Sequence, residues 1–264
     1  MKSQLLLKIS VAVAYAAMIA VNGLANALPI GGVTTGQASD AYPNLFTPAG
    51  VTFSIWGLIY AFLAAYTLYQ FGAFQKDANP TREALLARVN RLFLVTSLAN
   101  IAWIFAWHYG VIWLSVLIML VLLVSLVRIA GIVNAGPLSF REQAFIRVPF
   151  SLYFGWITVA TIANITVFLV SLRWDGFGLS DALWTVVILL VGATIGILRT
   201  WKDRNVFYGL VLVWAYGGIL LKHLSETGHR GQYPNVIATI VLCLFAFVGV
   251  IGVLVIGKKK QGVV

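Results

Sequence analysis

The chain has 264 residues, of which 61% are hydrophobic and only 10% charged, and it carries a net charge of +10. Water-soluble domains average about 45–50% apolar and about 25% charged residues, so this composition excludes a soluble globular protein and indicates an integral membrane protein. The apolar runs are continuous rather than alternating, which reads as spanning helices and not as barrel strands. The lone cysteine, Cys243, excludes an internal disulfide.

In chain order, the first helix is expected over about residues 4–27. Its Lys-then-apolar start and its Ala25-Asn26-Ala27 end also fit a cleavable signal peptide, and both readings stay open; Asn22 and Asn26 favour a retained helix that packs through polar residues. Residues 28–50 form a long loop rich in Gly, Thr, Ser and Pro, without Lys or Arg and with an apolar tip at Leu45-Phe46. A loop of this length is either a lid or a plain surface connection. The second helix spans about 51–73. A charged connector follows, its second half an amphipathic lead into the third helix at about 89–109. The fourth helix, about 111–133, comes after a tight turn at Tyr109-Gly110. The connector NAGPLSFREQ leads to the fifth, about 145–172. Helices six and seven, about 182–199 and 206–223, are short, and the eighth, about 235–256, ends in three lysines.

The count of eight is tested by charge. With the N-terminus on the inner side, fifteen of the eighteen Lys and Arg fall inside and only Arg173, Lys222 and Arg230 outside. Cytoplasmic loops carry such an excess, and one helix more or fewer would scramble it. The basic surplus is therefore a topology signal with anionic membrane lipid as its partner, and no nucleic-acid role is expected. Both termini are placed in the cytoplasm of a multi-pass protein.

Three helices carry aromatic and amide stripes. Phe53, Trp56 and Tyr60 lie on one face of the second helix. Asn100, Trp103 and Trp107 do so on the third, and Trp156, Ala160 and Asn164 on the fifth. At a rise of 1.5 Å per residue, Trp56 and Tyr60 lie about 7 and 14 Å below the outer face, and Trp103 about 9 Å below it. Asn164, Ala160 and Trp156 lie about 12, 18 and 24 Å deep. Tryptophans collect at membrane interfaces, and asparagines join helices, so each stripe alone has an ordinary explanation. Together they suggest one outward-opening cavity suited to a flat apolar ligand.

These motifs resemble the TspO/MBR family, the tryptophan-rich sensory or translocator proteins. In TPAGVTFSIWGLIY, Trp56 and Tyr60 follow Pro48 by eight and twelve residues, as in that family. Asn100, Trp103 and Trp107 match its third helix; Trp156, Ala160 and Asn164 match its fifth. The resemblance covers about residues 1–172 and implies a five-helix bundle there. With the eight helices read from the apolar runs, the expected fold is an all-α polytopic bundle of eight transmembrane helices, the first five a TspO-like domain and residues 173–264 three added helices without a counterpart in that core. The ligand it implies is a tetrapyrrole, a porphyrin or haem type of molecule, framed by Trp56 and Trp156. No cofactor is required for function, and the resemblance allows a homodimer. It implies a receptor-like sensor of the bacterial inner membrane, with transport of a small amphipathic solute as the alternative. Departures occur at Ala49 and Gly50, where the family has Pro and Trp, and at Pro149, which precedes Trp156 by seven residues instead of four.

Other chemistry is sparse. His108 and His223 both fall near the outer face, but their spacing forms no metal motif. Lys222 at a helix end is explained by snorkelling. No Asp or Glu sits in a helix centre, and there is no phosphate loop, dinucleotide motif or nucleophile–base pair. No metal site and no enzymatic activity are expected. Gly192, Gly196, Gly217 and Gly218 are expected to permit close helix packing.

Overall fold

The computed structural model describes residues 2–28, 30–75, 77 and 79–261. Every regular element among the described residues is helical, and eight helices are long and apolar enough to cross a membrane. They are α1 (Lys2–Ala27), α3 (Ile55–Tyr69, preceded by a 3₁₀ turn at Gly50–Ser54), α4 (Pro80–His108), α5 (Ile112–Val133), α6 (Phe140–Ser171), α7 (Asp181–Asp203), α8 (Val206–Leu224) and α9 (Pro234–Gln261). A short helix, α2 (Thr35–Asp40), lies in the first loop. The protein is a polytopic helical bundle.

Local chemistry sets several boundaries. Asn79 caps α4 by accepting from the N–H groups of Thr81 and Arg82, with Pro80 at the first helical position, where a missing N–H costs nothing. The expected amphipathic lead is therefore the first turns of one continuous helix. Ser139 and Glu142 form a capping box, which starts α6 five residues before the expected position. Ser180 caps α7 and Asn205 caps α8. Arg204 adopts the left-handed conformation (φ 46°) in the tight turn between α7 and α8.

The lower part of α6 is not regular. Gln143–Arg147 is a π-turn, closed by the Val148 N–H donating to the carbonyl of Gln143. Pro149 follows directly; it has no N–H to give and its ring crowds the preceding turn. Widening that turn lets the helix continue through the proline, and such insertions often mark functional sites.

The contacts divide the chain into two compact units: residues 1–41 with 55–157, and residues 42–54 with 158–264. The boundary falls within the first loop, at the junction of the 3₁₀ turn with α3, and within α6. In the first unit α4 packs against α1 and α5. Its interior includes a herringbone of Tyr66, Phe93 and Phe150, with centroids 4.8–5.5 Å apart; the Tyr66 hydroxyl donates to Asn90 Oδ1 at 2.6 Å.

In the second unit α9 packs on α7 and α8. Close approach here needs glycine. A Cβ on Gly192 would lie 2.7 Å from the Tyr216 hydroxyl, and one on Gly196 2.4 Å from Leu212 Cδ1. Gly218 admits the 3₁₀ turn, where a Cβ would meet Thr52 Oγ1 at 2.0 Å. Among the described residues nothing lies within 4 Å of a Cβ on Gly217, which takes no part in this packing.

Candidate functional site

Trp56 is the centre of an aromatic cluster in the first unit. Its ring stacks on Tyr60 at 5.3 Å and meets the edges of Tyr153 at 5.8 Å and Trp156 at 6.2 Å. Offset and edge-to-face contacts at such distances contribute about 0.5–1.5 kcal/mol each beyond area burial. Trp156 is 3% exposed and Tyr153 fully buried, whereas Trp56 and Tyr60 are half-buried. The Tyr60 hydroxyl is buried and has no hydrogen-bond partner among the described residues. A buried hydroxyl left this way costs about 1–3 kcal/mol, so the cluster retains an unused polar handle among apolar rings.

The amide predicted on the third helix joins this cluster through a neighbour. Asn100 Oδ1 accepts from Asn22 Nδ2 at 2.6 Å, and Asn100 Nδ2 donates to the Tyr153 hydroxyl at 3.5 Å. Asn22 also donates to the Met18 carbonyl at 2.9 Å. On α1, Tyr15 donates its hydroxyl to the Tyr60 carbonyl at 2.6 Å. Tyr15 and Tyr153 are absent from the sequence stripes. Tyr153 stands three residues before Trp156 on the same helical face. Tyr15 belongs with Val11, Met18 and Asn22, a spacing of four, three and four residues that marks the buried face of α1. Both were findable by extending the helical period.

Trp103 and Trp107 form a pair of their own, stacked at 5.3 Å. Trp107 Nε1 donates to the Thr35 carbonyl at 3.2 Å. His108 holds the same loop with both ring nitrogens, Nε2 3.1 Å from Thr35 Oγ1 and Nδ1 3.0 Å from the Ile30 carbonyl. The end of α4 thus fastens residues 30–35. Phe53, Ala160 and Asn164 belong to the second unit; Asn164 is buried there and Phe53 and Ala160 are half-buried. The three sequence stripes are therefore shared between the two units: Trp56, Tyr60, Asn100, Trp103, Trp107 and Trp156 in one, the remaining three in the other.

The later part of the first loop is held within the second unit. Trp214 Nε1 donates to the Thr52 carbonyl at 2.9 Å, and the Ala49 N–H donates to the Gly218 carbonyl at 3.0 Å. His223 Nε2 lies 2.9 Å from the Leu45 carbonyl. The His223 ring sits 4.7 Å from that of His229, and Tyr233 stands edge-on to both. Among the described residues no three His, Cys, Asp or Glu side chains come together as a metal site.

Eight helices among the described residues are long and apolar enough to span, and they define a polytopic membrane protein. The family model described as TSPO-like protein matches residues 8–255, and the chain belongs to that family. The match runs from α1 into α9 and so takes in the three later helices as well as the first five, three of which carry the recognised motifs. No curated protein and no solved structure matches the chain.

Proposed function

We propose that the chain is a sensor-type receptor that binds a flat apolar ligand, a tetrapyrrole, on the Trp56 cluster. The observation that carries this reading is the gathering of Trp56, Tyr60, Tyr153 and Trp156 around one unpartnered buried hydroxyl, that of Tyr60. Indole and phenol faces suit a macrocycle's π-surface, and the hydroxyl can meet one of its polar edges. Because the rings touch one another, a ligand enters by parting them. The cluster opens toward the outer side of a bacterial inner membrane, with both termini cytoplasmic, in keeping with the distribution of Lys and Arg. The reading requires no resident cofactor and assigns no catalytic step.

Titration of the purified protein with protoporphyrin, followed by quenching of tryptophan fluorescence, tests the ligand class. Saturable quenching is expected; none up to the solubility limit would sink the reading. Light-dependent bleaching of the bound porphyrin that requires Trp156 would show an enzymatic role instead.

A second reading, transport of a small amphipathic solute, is favoured by a buried polar trace on α6: Thr158, Thr161 and Asn164 are all at most 6% exposed. Flux of a labelled solute into proteoliposomes distinguishes it from a sensor, for which no flux above empty vesicles is expected.

A further inference from the structure

The second unit holds a cavity of about 100 Å³ where α6 ends and α7 begins. Trp174, Trp184, Asp181, Leu45, Val170 and Ile188 stand in its wall, and no Lys, Arg or His does. The two indoles pack at 4.9 Å, and the Trp184 ring is fixed by a hydrogen bond from its Nε1 to the Gly176 carbonyl. Gly176 has a φ of 65°, and a Cβ there would lie 2.7 Å from Trp184 Cδ1. Only glycine lets the chain turn so tightly against that ring.

The polar chemistry of the wall is nearly all committed. Thr185 donates its hydroxyl to the Asp181 carbonyl, and Thr166 donates to Ile162. Asn44 Oδ1 already accepts from the N–H groups of Phe46 and Thr47 and from the Thr47 hydroxyl. The carboxylate of Asp181, an exposed residue, makes no ion pair or side-chain hydrogen bond with any described residue, and the Trp174 indole N–H is likewise uncommitted. One free anion, two indoles and an apolar remainder exclude an anionic ligand. They also leave too few oxygens for a bare divalent cation, which takes six or more. What they do suit is an ammonium carrying methyl groups. Its charge is attracted both by the carboxylate and by the indole faces, and tryptophan is the strongest aromatic partner for a cation. The space admits several water-sized spheres, which matches such a headgroup and is far too small for a tetrapyrrole.

We propose that this cavity is a binding site for a quaternary ammonium group, with Asp181 as counter-ion and Trp174 and Trp184 as its aromatic wall. The site is independent of the Trp56 cluster. Two sources share this chemistry: free choline-like solutes and the headgroup of a choline lipid. Calorimetric titration of the full chain in dodecyl maltoside, with choline and with its uncharged carbon analogue 3,3-dimethylbutan-1-ol, tests it. Choline is expected to bind at least about tenfold more tightly than the analogue. Asp181→Asn, which preserves size, should weaken choline by about tenfold or more while lowering the thermal melt only slightly, as for loss of an acid in the first turn of a helix. Trp184→Leu should weaken choline to a similar degree but also lowers the melt by removing packing, so Asp181→Asn is the arm that isolates the charge. Tighter binding of dihexanoylphosphatidylcholine than of choline identifies the lipid headgroup; binding of choline alone identifies a solute. No saturation by either up to about 50 mM, a millimolar-scale limit of weak recognition, overturns the proposal. So does equal binding of the neutral analogue, or an Asp181→Asn protein that binds as wild type.

Discussion

Asn100 shows most clearly what a single side chain contributes. It is fully buried and bonds to Asn22 and to Tyr153. Replacing it by leucine leaves two buried polar groups short of a partner, so Asn100→Leu is expected to lower stability in detergent by about 1–2 kcal/mol, read as a drop in the melting temperature; an unchanged melt would show that the bonds carry no net energy. His229, outside the spanning helices, supplies a pH test. Burial, then the neighbouring His223 ring, then the Lys222 charge push its pKa below the ordinary 6.5. The folded state therefore takes up this proton less readily than the unfolded chain. Its contribution to stability is complete above 6.5 and is lost as pH falls from there toward the lowered value. Melting temperatures measured across that range should fall with acidification, and His229→Gln should flatten the slope; an identical slope in the variant would assign the loss to other groups. At this scale the sequence exposed Trp56, Tyr60, Asn100 and Trp156 because aromatics and amides are conspicuous in an apolar run. It did not expose the double attachment of His108, since the carbonyl partner Ile30 and the hydroxyl of Thr35 become neighbours only through the chain path.

Among elements, the apolar runs made the number and type of helices legible, and their ends were displaced where caps act. Asn79 with Pro80, and Ser139 with Glu142, are capping signals inside segments that polarity alone reads as connectors. The displacement of Pro149 was visible in the residues, but not its consequence, because a proline can kink a helix, end it or be absorbed by a π-turn. Here it is absorbed. Pro149→Ala restores a donor and allows the regular ladder to close across Gln143–Arg147. We expect a protein at least as stable that holds Tyr153 and Trp156 in a changed orientation, and hence quenches less with protoporphyrin; unaltered binding would show that the π-turn does not position these rings. The glycines make a paired test. Gly218→Ala must displace the Thr52 side chain and should cost about 1–3 kcal/mol. Gly217→Ala, with open space around it, should be neutral or stabilising by up to about 1 kcal/mol. Equal melts for the two would contradict the packing described for the 3₁₀ turn.

For the whole molecule, charge and hydropathy foretold a polytopic bundle, and the family match over residues 8–255 agrees with the motifs that first suggested it. The division into two compact units was not readable, because its three boundaries fall inside continuous features: one in the first loop, one where the 3₁₀ turn runs into α3, and one within α6. Contacts between residues distant in sequence decide such a division, and no local period records them. The same limit explains the stripe on α6, whose Trp156 falls in one unit and whose Ala160 and Asn164 fall in the other.

The central claim is that the ligand binds on the Trp56 cluster and not merely near some tryptophan. Protoporphyrin titration of Trp56→Ala beside Trp103→Ala tests it most directly, with porphyrin absorbance as the readout so that loss of an indole does not change the signal. Trp56→Ala is expected to bind at least about tenfold more weakly, as for loss of a buried aromatic anchor, and Trp103→Ala with near-wild-type affinity. Wild-type affinity in Trp56→Ala, or equal losses in both variants, would contradict that claim.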